Sequence, residues 1–282
     1  VKWTTINDQD YPYLLRQIPG APAILYWTGN LVSWPERALA VVGSRQANQY
    51  GNRVIDEIVP QLVQAGYAIV SGGALGADAM AHRAALAAGG VTIVVGGTGL
   101  QHAYPAQHAR LFAQIAANGG AVVSNFAMNV AGFAGNFPAR NRIISGLSQG
   151  CLVVQAAEQS GAKITAHFAL EQGREVFVIP GCFGDPLSAG CHRLAQQGAK
   201  VVHNITDILG EFTPLVASKL KNNVKTASNS SDLLVNLCSS PVSFDMLQEQ
   251  LKIENNELQE RLFELQLQGY IKQNFAGLWE KN

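Results

Sequence analysis

Six short apolar runs recur along the chain: ALAVVG (38–43), YAIVSGG (67–73), VTIVVGG (91–97), GAVVSN (120–125), CLVVQA (151–156) and REVFVIPG (174–181). Side chains alternate between the two faces of a strand, so an unbroken apolar run describes a strand buried on both faces. Such strands belong to parallel sheets covered by helices. Helix-like stretches lie around and between the runs, at 49–65, 77–88, 106–117, 139–148, 161–172 and 188–198. The alternation predicts a doubly wound α/β domain with a mainly parallel sheet over 38–212. Ligands of such sheets bind beyond the carboxyl ends of the strands, so the residues that follow each run are the candidates for function.

Outside this region the pattern changes. Residues 1–37 are polar, aromatic and broken by Pro12, Pro19, Pro22 and Pro35, and are predicted to be an entry segment rather than a domain. Residues 213–230 are rich in Ser, Asn and Lys and are expected to be a linker. Helical spacing returns over 231–282, which ends in GYIKQNFAGLWEK, a hairpin pattern with a turn at Ala276-Gly277. Helices followed by such a hairpin predict a small winged-helix domain.

The composition limits the class of function. At 48% hydrophobic and 14% charged, the chain of 282 residues is not disordered. No apolar run reaches the length of a membrane span. The opening VKWTTINDQDYP lacks a secretory pattern and a Met, so a processed start is expected. Lys plus Arg and Asp plus Glu both total 20, so any binding of nucleic acid needs a local patch. Cys151, Cys182, Cys191 and Cys238 form no CxxC. They are expected to be reduced thiols of a cytoplasmic protein, with no metal site. No cofactor is indicated.

Four strand-to-helix turns suit anions. Gly43-Ser44-Arg45 combines a glycine, free helix-terminal N–H groups and a charged fork. An ordinary turn with a solvated Arg is an equal reading. Ser71, Gly72 and Gly73 begin a glycine-rich loop able to cradle a phosphate, followed by Asp78 and His82. Asp78 equally fits an acid favoured near a helix start. His82 is more simply a packed histidine, with no nucleophile paired to it, so no catalytic residue is assigned. Asn136, Phe137, Arg140, Asn141 and Arg142 join two cations to an aromatic that offers a stacking surface for an unpaired base. The alternative is a core Phe and helix-capping arginines. Ser160, Gly161, Lys163 and Thr165 form the fourth turn, where Ser160 also fits a helix N-cap. Together the four turns suggest a polyanion or a nucleotide.

In order, TyrPro (11–12), GSR (43–45), SGGALGADAMAH (71–82), GGTGLQHAYP (96–105), NFPARNRIISGLS (136–148), SGAKITA (160–166), VFVIPG (176–181) and GCHRLAQQGA (190–199) resemble the DprA/Smf family of DNA-processing proteins. The resemblance implies an extended Rossmann-like domain that binds single-stranded DNA, forms a homodimer, protects incoming DNA and loads RecA onto it in natural transformation. It implies a dimer contact near 188–205, to which the sequence adds Leu194, Val201 and Val202 as an apolar edge. The chain departs from the family pattern at Asn125, Ala134, Ala139, Gln155 and Lys163, while Arg45, Phe137, Arg140 and Arg142 match it. The competing expectation is a nucleotide-processing enzyme of the phosphoribohydrolase type. Its PGGxGT loop and catalytic Glu have only fragments here, at Gly96-Gly97-Thr98-Gly99 and Pro180-Gly181.

Overall fold

A computed structural model describes residues 1–212, 234–235, 237–238, 240–251, 253, 255–274 and 278–281. The expected linker, 213–230, lies outside them. The chain divides into two compact units, Val1–Pro214 and Leu215–Asn282.

In chain order the first unit contains β1 (Lys2–Thr5), α1 (Tyr13–Arg16), β2 (Ile24–Gly29), β3 (Ala38–Val42), α2 (Gln49–Gln64), β4 (Ala68–Ser71), α3 (Ala77–Ala87) and β5 (Thr92–Val95). Then come α4 (Ala109–Ala117), β6 (Ala121–Ser124), α5 (Asn136–Gly146), β7 (Gly150–Val153), α6 (Gly161–Glu171), β8 (Glu175–Val178), α7 (Ala189–Gln196), β9 (Lys200–Val201) and α8 (Thr206–Phe212). Each apolar run is a strand. The sheet has nine strands in the order β1-β2-β6-β5-β4-β3-β7-β8-β9. From β6 to β9 all neighbours are parallel.

β3 shows why the runs are unalternated. Ala38, Ala40 and Val42 pack into one core with Val70, Ile93, Ile143 and Val153. Leu39 and Val41 face the other, with Ile55, Leu62, Ile69 and Phe177. Both faces are dry, so both sets of side chains must be apolar.

Residues 1–37 form no separate unit, and they add two strands to the sheet. β1 and β2 pair antiparallel, and β2 pairs antiparallel with β6, which extends the sheet. Tyr11, Leu15, Ile18, Leu25 and Trp27 are buried in the main core. The Tyr11 hydroxyl donates to the Pro22 carbonyl at 2.7 Å, and burial pushes its pKa up to about 12. Between the proline breaks, these buried side chains carry the packing.

In the second unit, helices Phe244–Leu251 and Asn255–Leu267 precede strands β10 (Ile271–Gln273) and β11 (Trp279–Lys281), which pair antiparallel. Leu258, Leu262 and Leu265 follow helical spacing and are buried with Leu234, Leu247 and Ile271. Two helices and a hairpin are what the described residues show of the winged-helix expectation. Among the described residues no helix is long and apolar enough to cross a membrane.

Candidate nucleic-acid interface

The strand order turns at β3, where β4 lies on one side and β7 on the other. Connections that leave in opposite directions open a crevice at such a point. A cleft of about 750 Å3 stands there, with walls that include Ser44, Arg45, Phe137, Asn141, Ser160 and Thr165.

After β3 the chain turns at Gly43, where a β-carbon would come within 2.6 Å of the Ala77 β-carbon. The Ser44 amide donates to the Gln155 carbonyl at 2.7 Å, and the Ser44 Oγ accepts from the Gln46 amide at 3.0 Å. This ties the turn to β7 and leaves Arg45 exposed on the cleft wall. Asn48 caps α2, its Oδ1 accepting from the Tyr50 and Gly51 amides at 2.9 and 3.3 Å.

The loop after β4 corrects the expectation of a phosphate cradle. The Gly72 and Ala74 amides both donate to the Asp78 carboxylate at 3.2 Å. The anion that this nest holds is the chain's own. The Ser71 hydroxyl is buried and donates to the Val41 carbonyl at 2.7 Å. Gly73 (φ +68°) is buried against Phe112 and Val94. Burial raises the pKa of Asp78, opposed by the Arg140 charge and by these amides.

Arg140 is corrected as well. The residue is 5% exposed, and its guanidinium donates to the carbonyls of Gly72, at 2.7 Å, and of Val95. Its Nε donates to the Asn141 Oδ1 at 3.2 Å. Burial pulls its pKa down to about 10, against the Asp78 charge. Arg140 forms part of the cleft floor and clasps the ends of β4 and β5.

The other two cations turn elsewhere. Arg142 donates to the Gly20 carbonyl and so staples the amino-terminal segment to α5. Lys163 donates to the Glu158 carbonyl at 2.8 Å and lies 3.6 Å from its carboxylate. Of the four cations expected to converge, Arg45 is the exposed one on the cleft. Asn136 opens α5 outside the cleft, its amide donating to the Phe133 carbonyl at 2.9 Å. Asn141 reaches the Gly161 carbonyl at 3.4 Å. Ser160 caps α6, its Oγ accepting from the Ala162 amide at 3.3 Å, and Gly161 beside it is exposed.

Phe137 is half-buried, and its ring centroid lies 4.8 Å from that of Tyr104. Tyr104 carried no role in the sequence reading. An aromatic inside a glycine-rich block was the available signal.

His82 is buried. The Thr92 hydroxyl donates to the Ile69 carbonyl at 2.8 Å and so accepts from the His82 Nδ1 at 2.7 Å. Burial drives the pKa of His82 down to about 3. The expected apolar dimer edge is corrected in two of three residues. Leu194 and Val202 are 4% and 3% exposed and belong to the two cores, whereas Val201 on β9 is 48% exposed. The four cysteines are unpaired, with Cys182 exposed.

The comparisons agree with this architecture. DNA processing protein A of Streptococcus pneumoniae has a crystal structure similar to this chain at a TM-score of 0.71 and 42% identity, over 74% of each chain. DNA processing protein A of Helicobacter pylori, studied for its single-stranded DNA binding mode, is similar at a TM-score of 0.66 and 28% identity, over 75% of this chain and 95% of that one. In sequence, the chain is 41% identical over 274 residues to Protein Smf of Escherichia coli (strain K12), covering 94% of this chain and 73% of that protein. The sequence model of DNA recombination-mediator protein A matches residues 2–213. From β1 to the end of α8, this chain belongs to the DprA/Smf family of DNA recombination mediators.

Proposed function

We propose that this protein binds single-stranded DNA along the cleft at the β3/β7 switch point, protects the strand, and loads RecA onto it during natural transformation. The observation that carries the reading is one exposed guanidinium, Arg45, beside the Tyr104–Phe137 aromatic pair. A cation for the backbone next to rings for the bases is the usual recipe for holding an unpaired strand. The Helicobacter pylori relative, a protein studied for single-stranded DNA binding, supports the same reading.

Self-association is proposed at β9, an edge strand with Val201 exposed. An edge strand offers unpaired backbone groups to a second copy. The acidic segment 231–282, with Lys252, Arg261, Lys272 and Lys281 against eight Asp and Glu, is proposed for protein contacts rather than for duplex binding.

The competing reading, a nucleotide-processing enzyme, requires a carboxylate presented to the cleft. Asp78 lines it but is buried and occupied by the Gly72 and Ala74 amides. The test is anisotropy of labelled oligo(dT) and of duplex across a salt series, with base release from mononucleotides measured alongside. Preference for oligo(dT), affinity falling with salt and no free base are expected. Base release without strand binding would favour the enzyme.

A further inference from the structure

Phe137 is the aromatic that the sequence offers as a base platform, but it is half-buried, packed against glycine backbone and Tyr104. A β-carbon at Gly97 would come within 2.6 Å of the Phe137 ring, so the ring rests on bare glycine backbone. A β-carbon at Gly132 would lie 3.6 Å from its Cζ, and Tyr104 leans on it with the two rings tilted by 41°. Tyr104 is different, since half of it (50%) is exposed. It lines the main cleft and also a small niche with Arg45, Leu75 and Phe137. The chain has fixed this ring by an aromatic underlay rather than by burying it. An aromatic side chain packed against a neighbour and still half exposed suits a stacking base, because little side-chain entropy remains to be lost on binding.

We infer that Tyr104 is the base-stacking residue of the cleft and that Phe137 is the positioning residue that holds its ring. The inference deepens the single-strand reading and rests on it. A nucleobase stacks on the exposed Tyr104 ring, and Arg45, in the same niche, meets the adjoining phosphate. Because every base has a π-face, this contact is tolerant of sequence but requires a base.

The experiment compares oligo(dT) with an abasic oligomer of equal length and charge, binding to the full chain and to Tyr104→Leu and Tyr104→Phe. Wild type should prefer oligo(dT). Tyr104→Leu should weaken oligo(dT) binding about tenfold, within the range for one stacked base. It should leave abasic binding and the salt slope unchanged, so that the preference collapses. Tyr104→Phe should retain the preference. Thermal melting of each variant reports folding. If Tyr104→Leu weakens both oligomers alike, or neither, Tyr104 does not stack on a base and the inference is overturned while strand binding stands. If wild type binds neither oligomer, the single-strand reading fails and takes this inference with it.

Discussion

Arg140 and Asp78 hold Gly72 from both sides. Arg140 donates to its carbonyl at 2.7 Å, and the Asp78 carboxylate accepts its amide at 3.2 Å. Two buried side chains thus fix the two peptide groups on either side of the Gly72 α-carbon, just past the end of β4, and with them the cleft floor. Removing the guanidinium leaves the Gly72 and Val95 carbonyls without their donor and takes one favourable charge from Asp78. Arg140→Ala should therefore cost about 2–5 kcal/mol, from two buried carbonyls that each lose a donor at about 1–3 kcal/mol. Urea denaturation measures this, and a loss below about 1 kcal/mol would return Arg140 to the role of a phosphate ligand.

Gly72→Ala tests the same clasp from its centre. A β-carbon there would come within 2.8 Å of both the Arg140 Nη2 and the Asp78 Oδ2. Both atoms are anchored and cannot yield cheaply. Destabilisation of about 1–3 kcal/mol is expected, as for overpacking a core. An unchanged melting temperature would show that the clasp is loose.

Arg45→Ala separates binding from folding. The side chain is exposed, so stability should hold. Affinity for oligo(dT) should fall, and the salt slope should shrink by about 0.7, the contribution of one phosphate on a single strand. A variant with the wild-type slope would place the phosphate contact elsewhere.

His82 should make stability depend on pH. Its pKa is about 3 in the folded chain, against 6.5 for the ordinary group, because burial disfavours the cation. A depressed folded pKa gives stability that is present above about 6.5 and is lost as pH falls toward 3. In that window the folding constant should drop by up to about tenfold per pH unit through this group. His82→Asn, which keeps an N–H near the Nδ1 place, should show a shallower fall between pH 7 and 5 in denaturant titrations. Parallel curves would assign the dependence to other groups.

Val201 and Val202 should part company. Val201→Asp should weaken self-association, read by light scattering, and leave the fold intact, since the residue is 48% exposed. Val202→Asp should unfold the first unit, because that side chain is in the core and a buried unpaired charge is strongly penalised. Self-association unaffected by Val201→Asp would move the contact away from β9.

The sequence determined the alternation of strands and helices, because a strand dry on both faces can be written only as an unbroken apolar run. The runs at 38–43 and 91–97 reappear as β3 and β5, and the stretch at 161–172 as α6. It also marked the turns after β3, β4 and β7 and the stretch 136–142 as candidates, because glycines and small polar residues gather where backbone must approach closely. What it left open was which way each side chain points. Arg45 and Arg140 read alike in a string of letters, yet one ends in solvent and the other beneath two carbonyls. The glycine loop after β4 looked ready for a phosphate, and Asp78 from the next helix already filled it. Tyr104 gained its place from Phe137, which lies 33 positions away in sequence and meets it only through the fold. Periodicity is a local property of the chain and can be read locally. The pairing of charges and rings depends on contacts between distant segments, so only the tertiary structure decided it.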